Sequence, residues 1–430
     1  MVPPPEGRAQ PVSDDEQSLP RHAERFGTPL LVHDTAVLRE RASQLRRILP
    51  AGSTLLYSLK ANPLPPVVAA LQESGCGTEV SSPAELAVAV RTAPSSGPAP
   101  VLYTGPGKSG AEIAAATAAG ALLSCESAVE LARALDAQTG GLRMLLRVQP
   151  PNRPAAGLSM ADGRQFGLLV EDAIELCRRR PAGLDLLGVH CYLGSQLPSC
   201  QALLAAFEQA AETARQVSEA SGLPIRILDL GGGFPWPYAT SGTGLDLEPL
   251  AAGLAELVTP LQKQGTEIWF EAGRGLVAAA GRLLTTVMDV KRRAGGCLVV
   301  VDAGVNILGG MSGLGRVLRP EAVFRNLSAP DGEPRSVNVV GPLCTPLDRM
   351  SVNTTIAEPR VGDLLCVDNV GGYASTAALA AFLSRPPAIE LVTDEDQVLE
   401  AWTLNTGHAQ LPLPADALAG QRTNSMEAGP

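Results

Sequence analysis

Metal-ligating and disulfide-forming residues are scarce or badly placed in this chain. Four histidines occur in 430 residues, and no two of them share a helical ligand spacing, so no metal site is expected. The eight cysteines are scattered, with no CxxC pair and no zinc-like spacing. Reduced, mostly buried thiols of a cytoplasmic protein are expected, not a disulfide framework. No apolar run is long enough to span a bilayer, and the first residues lack a signal-peptide pattern, so no membrane partner is expected. Lysine and arginine total 34 against 44 acidic residues, a net charge of −10 without a basic cluster, which argues against nucleic acid as a partner. No segment repeats another at a fixed period, which excludes a solenoid.

What the chain does have is alternation. A 45% apolar fraction over this length supports more than one core. Eight apolar, strand-like runs end in polar or glycine-rich residues. In order they end at Lys60, at Glu79 to Ser82, at Thr104 to Gly107, at Ser124 to Glu126, at Arg147 to Pro150, at His190 to Gln196, at Gly231 to Gly233 and at Glu271 to Arg274. Helix-like stretches separate most of them, at 83–90, 111–119, 128–135, 201–220 and 248–264. Strands alternating with helices predict parallel βαβ units. Eight such units predict an α/β fold, a (β/α)8 TIM barrel with its site at the strand ends.

After about Gly281 the texture changes. Strand-like runs at 283–290, 297–301, 336–340, 363–367, 389–392 and 398–404 follow one another with turn signals and no long helices, as a C-terminal β domain requires. The expected organisation is a disordered tail over 1–24, a strand within 25–35 that joins the β domain, a cofactor-binding barrel over 36–281, the β domain over 282–410 and a flexible tail over 411–430.

Lys60 is the most informative residue. It follows the run Leu55-Leu56-Tyr57-Ser58, where it projects from a strand end into a concave site. A desolvated amine there is expected to have a lowered pKa and to attack aldehydes. At the seventh strand end, Gly231, Gly232 and Gly233 let backbone N–H groups approach an anion, and Arg274 brings a guanidinium to the same rim. Phosphate binding after the seventh and eighth strands is a habit of these barrels. A Schiff-base lysine with a phosphate cradle implies pyridoxal 5′-phosphate.

The ordered motifs YSLKAN at 57–62, GCGTEVSSPAEL at 75–86, YTGPGKS at 103–109, HCYLGSQ at 190–196, LDLGGGF at 228–234, EAGRGLVAAAG at 271–281, VDAGVN at 301–306, GPLC at 341–344 and GGY at 371–373 carry a resemblance. From about Thr28 to Thr406 the chain resembles the fold-type III, pyridoxal-phosphate-dependent decarboxylases, the family of diaminopimelate and ornithine/arginine decarboxylases, with an alanine racemase-like fold. The resemblance implies that Lys60 carries the cofactor. It further implies that Glu271 pairs with the pyridine nitrogen, that Ser195, Gly231 to Gly233, Arg274 and Tyr373 hold the phosphate, and that Gly273 also belongs to the cofactor site. Glu85 and Arg147 match supporting charged positions, and Glu79 stands where the family has an aspartate near the cofactor, a milder departure. Cys344 matches a cysteine donated by the partner subunit, which returns a proton after CO2 leaves. A homodimer with shared active sites is implied.

Three positions depart from the family pattern. Tyr192 stands where a histidine stacks on the cofactor. Thr345 stands where an acidic residue grips a distal ammonium. The arginine that reads a distal carboxylate falls near Gly309-Gly310. Asp302 and Asp348 remain candidates for substrate contact. These departures argue against diaminopimelate and weaken ornithine, lysine and arginine as substrates. The stretches GPLCTPLD, AFLSRP and MSGLGRV resemble a subgroup of secondary-metabolite decarboxylases, the butirosin-pathway glutamyl-carrier-protein decarboxylase among them. The expected substrate is an amino acid or a carrier-bound aminoacyl conjugate. Three alternatives stay open: a diaminopimelate or basic amino acid decarboxylase, a racemase, and an inactive homologue that binds a partner protein.

Overall fold

A computed structural model describes residues 14–409 except 96, 98, 138–141, 152–164, 182, 294–295 and 310–320. The chain opens with helix α1 (Asp14–Phe26) and strand β1 (Leu30–Asp34), and α2 (Thr35–Ile48) leads into the barrel. The barrel strands are β2 (Thr54–Ser58), β3 (Gly77–Val80), β4 (Val101–Tyr103), β5 (Leu122–Cys125), β6 (Leu142–Arg147), β7 (Leu184–His190), β8 (Ile227–Asp229) and β9 (Glu267–Ala272). Between them run α3 (Pro65–Glu73), α4 (Pro83–Arg91), α5 (Gly110–Ala118), α6 (Ala128–Asp136), α7 (Val170–Arg178), α8 (Cys200–Ser221) and α9 (Leu250–Lys263); α10 (Arg274–Val277) follows the last strand. The eight strands pair in parallel and close, β2 meeting β9, so the barrel expected from the sequence is present. Its floor is an apolar layer of Leu56, Leu102, Leu122, Leu145, Leu187, Ile227 and Trp269 from seven strands. That layer makes the barrel a packed core and leaves only its carboxyl ends for chemistry.

The remaining strands are β10 (Gly281–Arg293), β11 (Gly296–Val301), β12 (Arg325–Asn326), β13 (Pro334–Val340), β14 (Arg349–Ala357), β15 (Leu364–Val367), β16 (Ile389–Asp394) and β17 (Gln397–Thr403). They form a second sheet ordered β14-β13-β11-β10-β1-β16-β17, with β15 on β10 and β12. Strand β1, from before the barrel, lies between β10 and β16.

Two expectations are corrected. The disordered tail does not reach residue 24, because Asp14–Phe26 is helical. Leu19, 1% exposed, packs with Leu30, Val32, Leu284 and Leu391, and Ala23 and Phe26 extend the same stripe. Strand β14 was not anticipated, since its polar residues Asn353, Thr354 and Thr355 mask the alternation of buried Met350 and Ile356. The tail over 411–430 lies outside the described residues.

Candidate active site

Each barrel strand delivers a polar residue to one end. These are Lys60 just past β2, Glu79 on β3, Thr104 just past β4, Ser124 on β5, Arg147 on β6, His190 on β7, Asp229 on β8 and Glu271 on β9. Strand register sets Arg147 beside His190 and His190 beside Asp229. Glu79, Thr104, Ser124, His190, Asp229 and Glu271 are each no more than 2% exposed. So many buried polar groups persist only where they pair with one another or with a ligand.

The chain holds four lysines. Lys263 and Lys291 are exposed. Lys108 is buried and spends its ammonium on Gly105 O (2.6 Å), Ser124 O (2.7 Å) and Glu130 Oε1 (2.8 Å). Lys60 alone opens onto the barrel mouth. It sits in a 3-10 turn, Leu59–Ala61, that the second domain clamps. Tyr373 N donates to Ala61 O (2.7 Å), and Asn62 Nδ2 donates to Gly371 O (3.0 Å). Its Nζ meets Glu79 Oε2 at 3.0 Å and Oε1 at 3.2 Å.

The expected lowering of the Lys60 pKa is corrected. Burial does pull it down, but the carboxylates of Glu79 and Glu271 outweigh burial and raise it above the usual lysine value. Burial likewise pushes Glu79 up, while the Lys60 ammonium and hydrogen bonds from Thr104, Ser58 and Lys60 bring it down to about 2. Lys60 therefore stands as a paired ammonium, whose proton must leave before the amine attacks an aldehyde.

The neighbouring rim is built for an anion. Gly231 and Gly233 have φ of +73° and +113°, which favours glycine, and a Cβ on Gly232 would lie 2.4 Å from Glu271 O. Arg274 Nε and Nη1 are buried with no hydrogen-bond acceptor among the described residues. The guanidinium is stacked by Tyr238 and Tyr373, each ring centroid 4.7 Å away. Arg41 donates through Nε and Nη2 to Gly275 O, 3.2 Å each, and steadies the turn that carries Arg274. Gly273 is also close-packed, its Cβ position 3.3 Å from Ala61 Cβ and 3.4 Å from the Tyr373 hydroxyl. Unpaired guanidinium donors beside close-approach glycines fit a phosphate group.

Deeper in the barrel, His190 Nε2 lies 3.3 Å from Glu271 Oε1, and Asp229 joins them within 4.8 Å. Burial pushes Glu271 well above the carboxylate range, with Glu79 and Asp229 adding to it. Burial pushes Asp229 up to about 7. A protonated pyridine nitrogen is the kind of partner that would restore the charge of such a carboxylate. Tyr192 faces the same space, its ring centroid 5.7 Å from Lys60 Nζ and 5.9 Å from the Arg147 guanidinium. Arg147 is braced by Glu126 Oε1 at 3.2 Å. Glu85 caps the turn ahead of α4 by accepting from Ser81 N (2.7 Å). Ser195 lies beside the Tyr192 side chain.

Residues 35–278, more than half of the chain, match the family described as pyridoxal-dependent decarboxylase, pyridoxal binding domain. The chain belongs to the pyridoxal-dependent decarboxylases. It is an enzyme that uses pyridoxal 5′-phosphate to decarboxylate an amino acid. It is similar to the diaminopimelate decarboxylase of Deinococcus radiodurans, 31% identical, with 88% of this chain and 95% of the relative covered. It is also similar to the L-glutamyl-[BtrI acyl-carrier protein] decarboxylase of Niallia circulans, 26% identical, with 88% and 91% covered. The crystal structure of Helicobacter pylori diaminopimelate decarboxylase complexed with L-lysine superposes with a TM-score of 0.76 at 26% identity, covering 89% of this chain and 95% of that one. Among the described residues no helix is long and apolar enough to cross a membrane.

The second domain of this decarboxylase carries the other candidates. Cys344 is exposed on the β13–β14 connection, beside Thr345. Asp348 is 2% exposed, and its two oxygens accept from Val305 N (2.8 Å) and Leu343 N (2.7 Å), so it shapes the Cys344 loop. Asp302 accepts from Thr285 Oγ1 (2.5 Å), Thr286 N (3.0 Å) and Thr28 Oγ1 (2.6 Å), which knits the approach to β1 onto β10. A Cβ on Gly309 would lie 2.0 Å from Ala378 N, so no side chain fits there. Gly310 and the stretch 311–317 lie outside the described residues. Sequence reasoning missed Thr104, Ser124, Glu126 and Asp229 as parts of the site. Their signal was present, since each is a polar residue at or just past the last position of a predicted strand.

Proposed function

We propose that the substrate is an amino acid or an aminoacyl conjugate whose far end carries no charge inside the site, with carrier-bound substrates in the permitted range. The observation that supports this is the pair of Thr345 and Gly309. Thr345 offers a hydroxyl where a distal ammonium needs a carboxylate, and the packing at Gly309 leaves no room for an arginine. A buried charge left unpartnered costs several kcal/mol, on the order of a thousandfold in discrimination. The Niallia circulans relative, named for a carrier-tethered glutamyl group, is consistent with a substrate of this kind.

Pyridoxal 5′-phosphate, when bound, supplies a ring that takes up the electron pair left by the departing carboxylate. In this reading Lys60 holds the cofactor through its amine. Arg274, the backbone of Gly231 to Gly233, Gly273, Ser195 and Tyr373 grip the phosphate. Glu271 keeps a proton on the pyridine nitrogen, and Tyr192 lays an aromatic face against the ring. Arg147, braced by Glu126, and Glu79 set the charge around Lys60. Cys344 Sγ, reaching over from the partner of a homodimer, returns a proton to the substrate carbon. The protein's contribution is orientation: Glu271 and the phosphate grip would fix the ring, and contacts to the substrate itself would set how its carboxylate bond lies against that ring.

The test is CO2 release from a panel of free amino acids and carrier-bound aminoacyl thioesters. Neutral or conjugated far ends are expected to be preferred, and meso-diaminopimelate to be turned over poorly. Efficient turnover of meso-diaminopimelate, with a specificity constant typical of a dedicated enzyme, overturns the reading.

A further inference from the structure

Behind Glu271 lies a second pair of groups that the reading above does not use. Ser124 on β5 and His190 on β7 are both fully buried, and Ser124 Oγ lies 2.8 Å from His190 Nδ1. The other ring nitrogen, Nε2, faces Glu271 Oε1 at 3.3 Å. Although 3.3 Å apart, these two atoms do not form a hydrogen bond in the present side-chain orientations, and neither has another partner among the described residues, so a small turn of either side chain would pair two buried groups that are otherwise unsatisfied.

We propose that Ser124 and His190 form a relay that positions Glu271 and fixes its charge. The Ser124 hydroxyl donates to Nδ1, the ring proton sits on Nε2, and Nε2–H is given to Glu271 Oε1. The second Glu271 oxygen is thereby held for the pyridine nitrogen. The inference rests on the reading of Glu271 as the partner of that nitrogen, and it makes Ser124 and His190 positioning residues.

The chemistry allows few other arrangements. A neutral imidazole has one donor and one acceptor. Burial keeps His190 neutral by pulling its pKa well below the usual range, and the nearby cations Arg147, Lys60 and Lys108 act in the same direction. With the opposite tautomer, a lone pair on Nε2 would oppose a lone pair on ionised Glu271. That arrangement is tolerable only if Glu271 itself carries a proton, and a protonated Glu271 cannot keep the pyridine nitrogen charged. The buried neighbour Asp229 sharpens the choice. Two buried carboxylates this close do not both ionise readily, and an N–H aimed at Glu271 selects which of them does.

The test uses 15N-histidine NMR on cofactor-loaded protein, in which the pyridine nitrogen would hold Glu271 ionised. Only four histidines are present, and the His190 signal is assigned by its loss in His190→Gln. The expected wild-type spectrum shows His190 as the Nε2–H tautomer. In Ser124→Ala, which keeps the carbonyl that accepts from Lys108, that tautomer is lost or mixed. In the cofactor-loaded protein, Ser124→Ala is expected to shift the absorbance of the bound cofactor. It should lower kcat roughly tenfold to a hundredfold with little change in KM, and Ser124→Thr should restore both. An Nδ1–H tautomer in the wild type, or a tautomer indifferent to Ser124→Ala, overturns the relay. If instead the NMR result holds but Glu271→Gln leaves the bound-cofactor spectrum unchanged, the reading of Glu271 fails.

Discussion

Replacing Arg274 with methionine separates a cofactor-binding role from a structural one, because the two roles predict opposite outcomes. The substitution keeps most of the stem that packs between Tyr238 and Tyr373 and removes the guanidinium. Hydrogen bonds to a charged group contribute about 1.5–3 kcal/mol each. Arg274 has two donors free for a phosphate, Nε and Nη1. Their loss should weaken cofactor binding by ~3–6 kcal/mol, roughly two to four orders of magnitude in Kd. In the cofactor-free protein the balance differs. Each buried donor without an acceptor costs about 1–3 kcal/mol, while stacking on two rings returns about 1–2 kcal/mol per ring in a desolvated setting. These contributions oppose each other and are similar in size. The cofactor-free variant should therefore unfold within ~2 kcal/mol of the wild type. Equilibrium dialysis of pyridoxal 5′-phosphate and urea unfolding of stripped protein measure the two quantities. A variant that binds the cofactor normally but is severely destabilised would refute the assignment.

Other consequences are testable in the same protein. Mixing Lys60→Ala with Cys344→Ala subunits should restore about a quarter of wild-type activity, because half of randomly formed dimers then hold one intact site; no recovery despite verified subunit exchange counts against shared sites. Burial holds Asp229 up to about 7, whereas an unfolded aspartate titrates near ~3.9. Between those values the native state binds a proton that the unfolded chain lacks, so Asp229 makes cofactor-free stability fall as pH rises from about 4 to about 7. Asp229→Asn keeps an oxygen for Gly231 N and should flatten that slope in urea unfolding measured across pH; an unchanged slope rules the assignment out.

The barrel was legible because its strands end where apolar runs meet polar or glycine residues, and that punctuation survives without tertiary information. The glycine cradle was legible for the same reason. Relations between strands were not. That Glu79 pairs with Lys60 and reverses its expected pKa shift depends on the closeness of β2 and β3, which are joined by a helix, not a turn. The Ser124–His190 contact spans 66 residues and follows from barrel closure alone. Helix α1 was hidden by the proline and charge that surround it, although Leu19, Ala23 and Phe26 already share one helical face. Strand β14 was hidden because one of its faces is wet.

The central claim is that Lys60 is the lysine that carries the cofactor. Borohydride reduction of the loaded enzyme, followed by peptide mass mapping, tests it directly, since only four lysines compete. The account predicts a single pyridoxyl adduct on the peptide containing Lys60, absent in Lys60→Ala together with the bound-cofactor absorbance and turnover. A stoichiometric adduct on Lys108, Lys263 or Lys291, or one that survives Lys60→Ala, would contradict it.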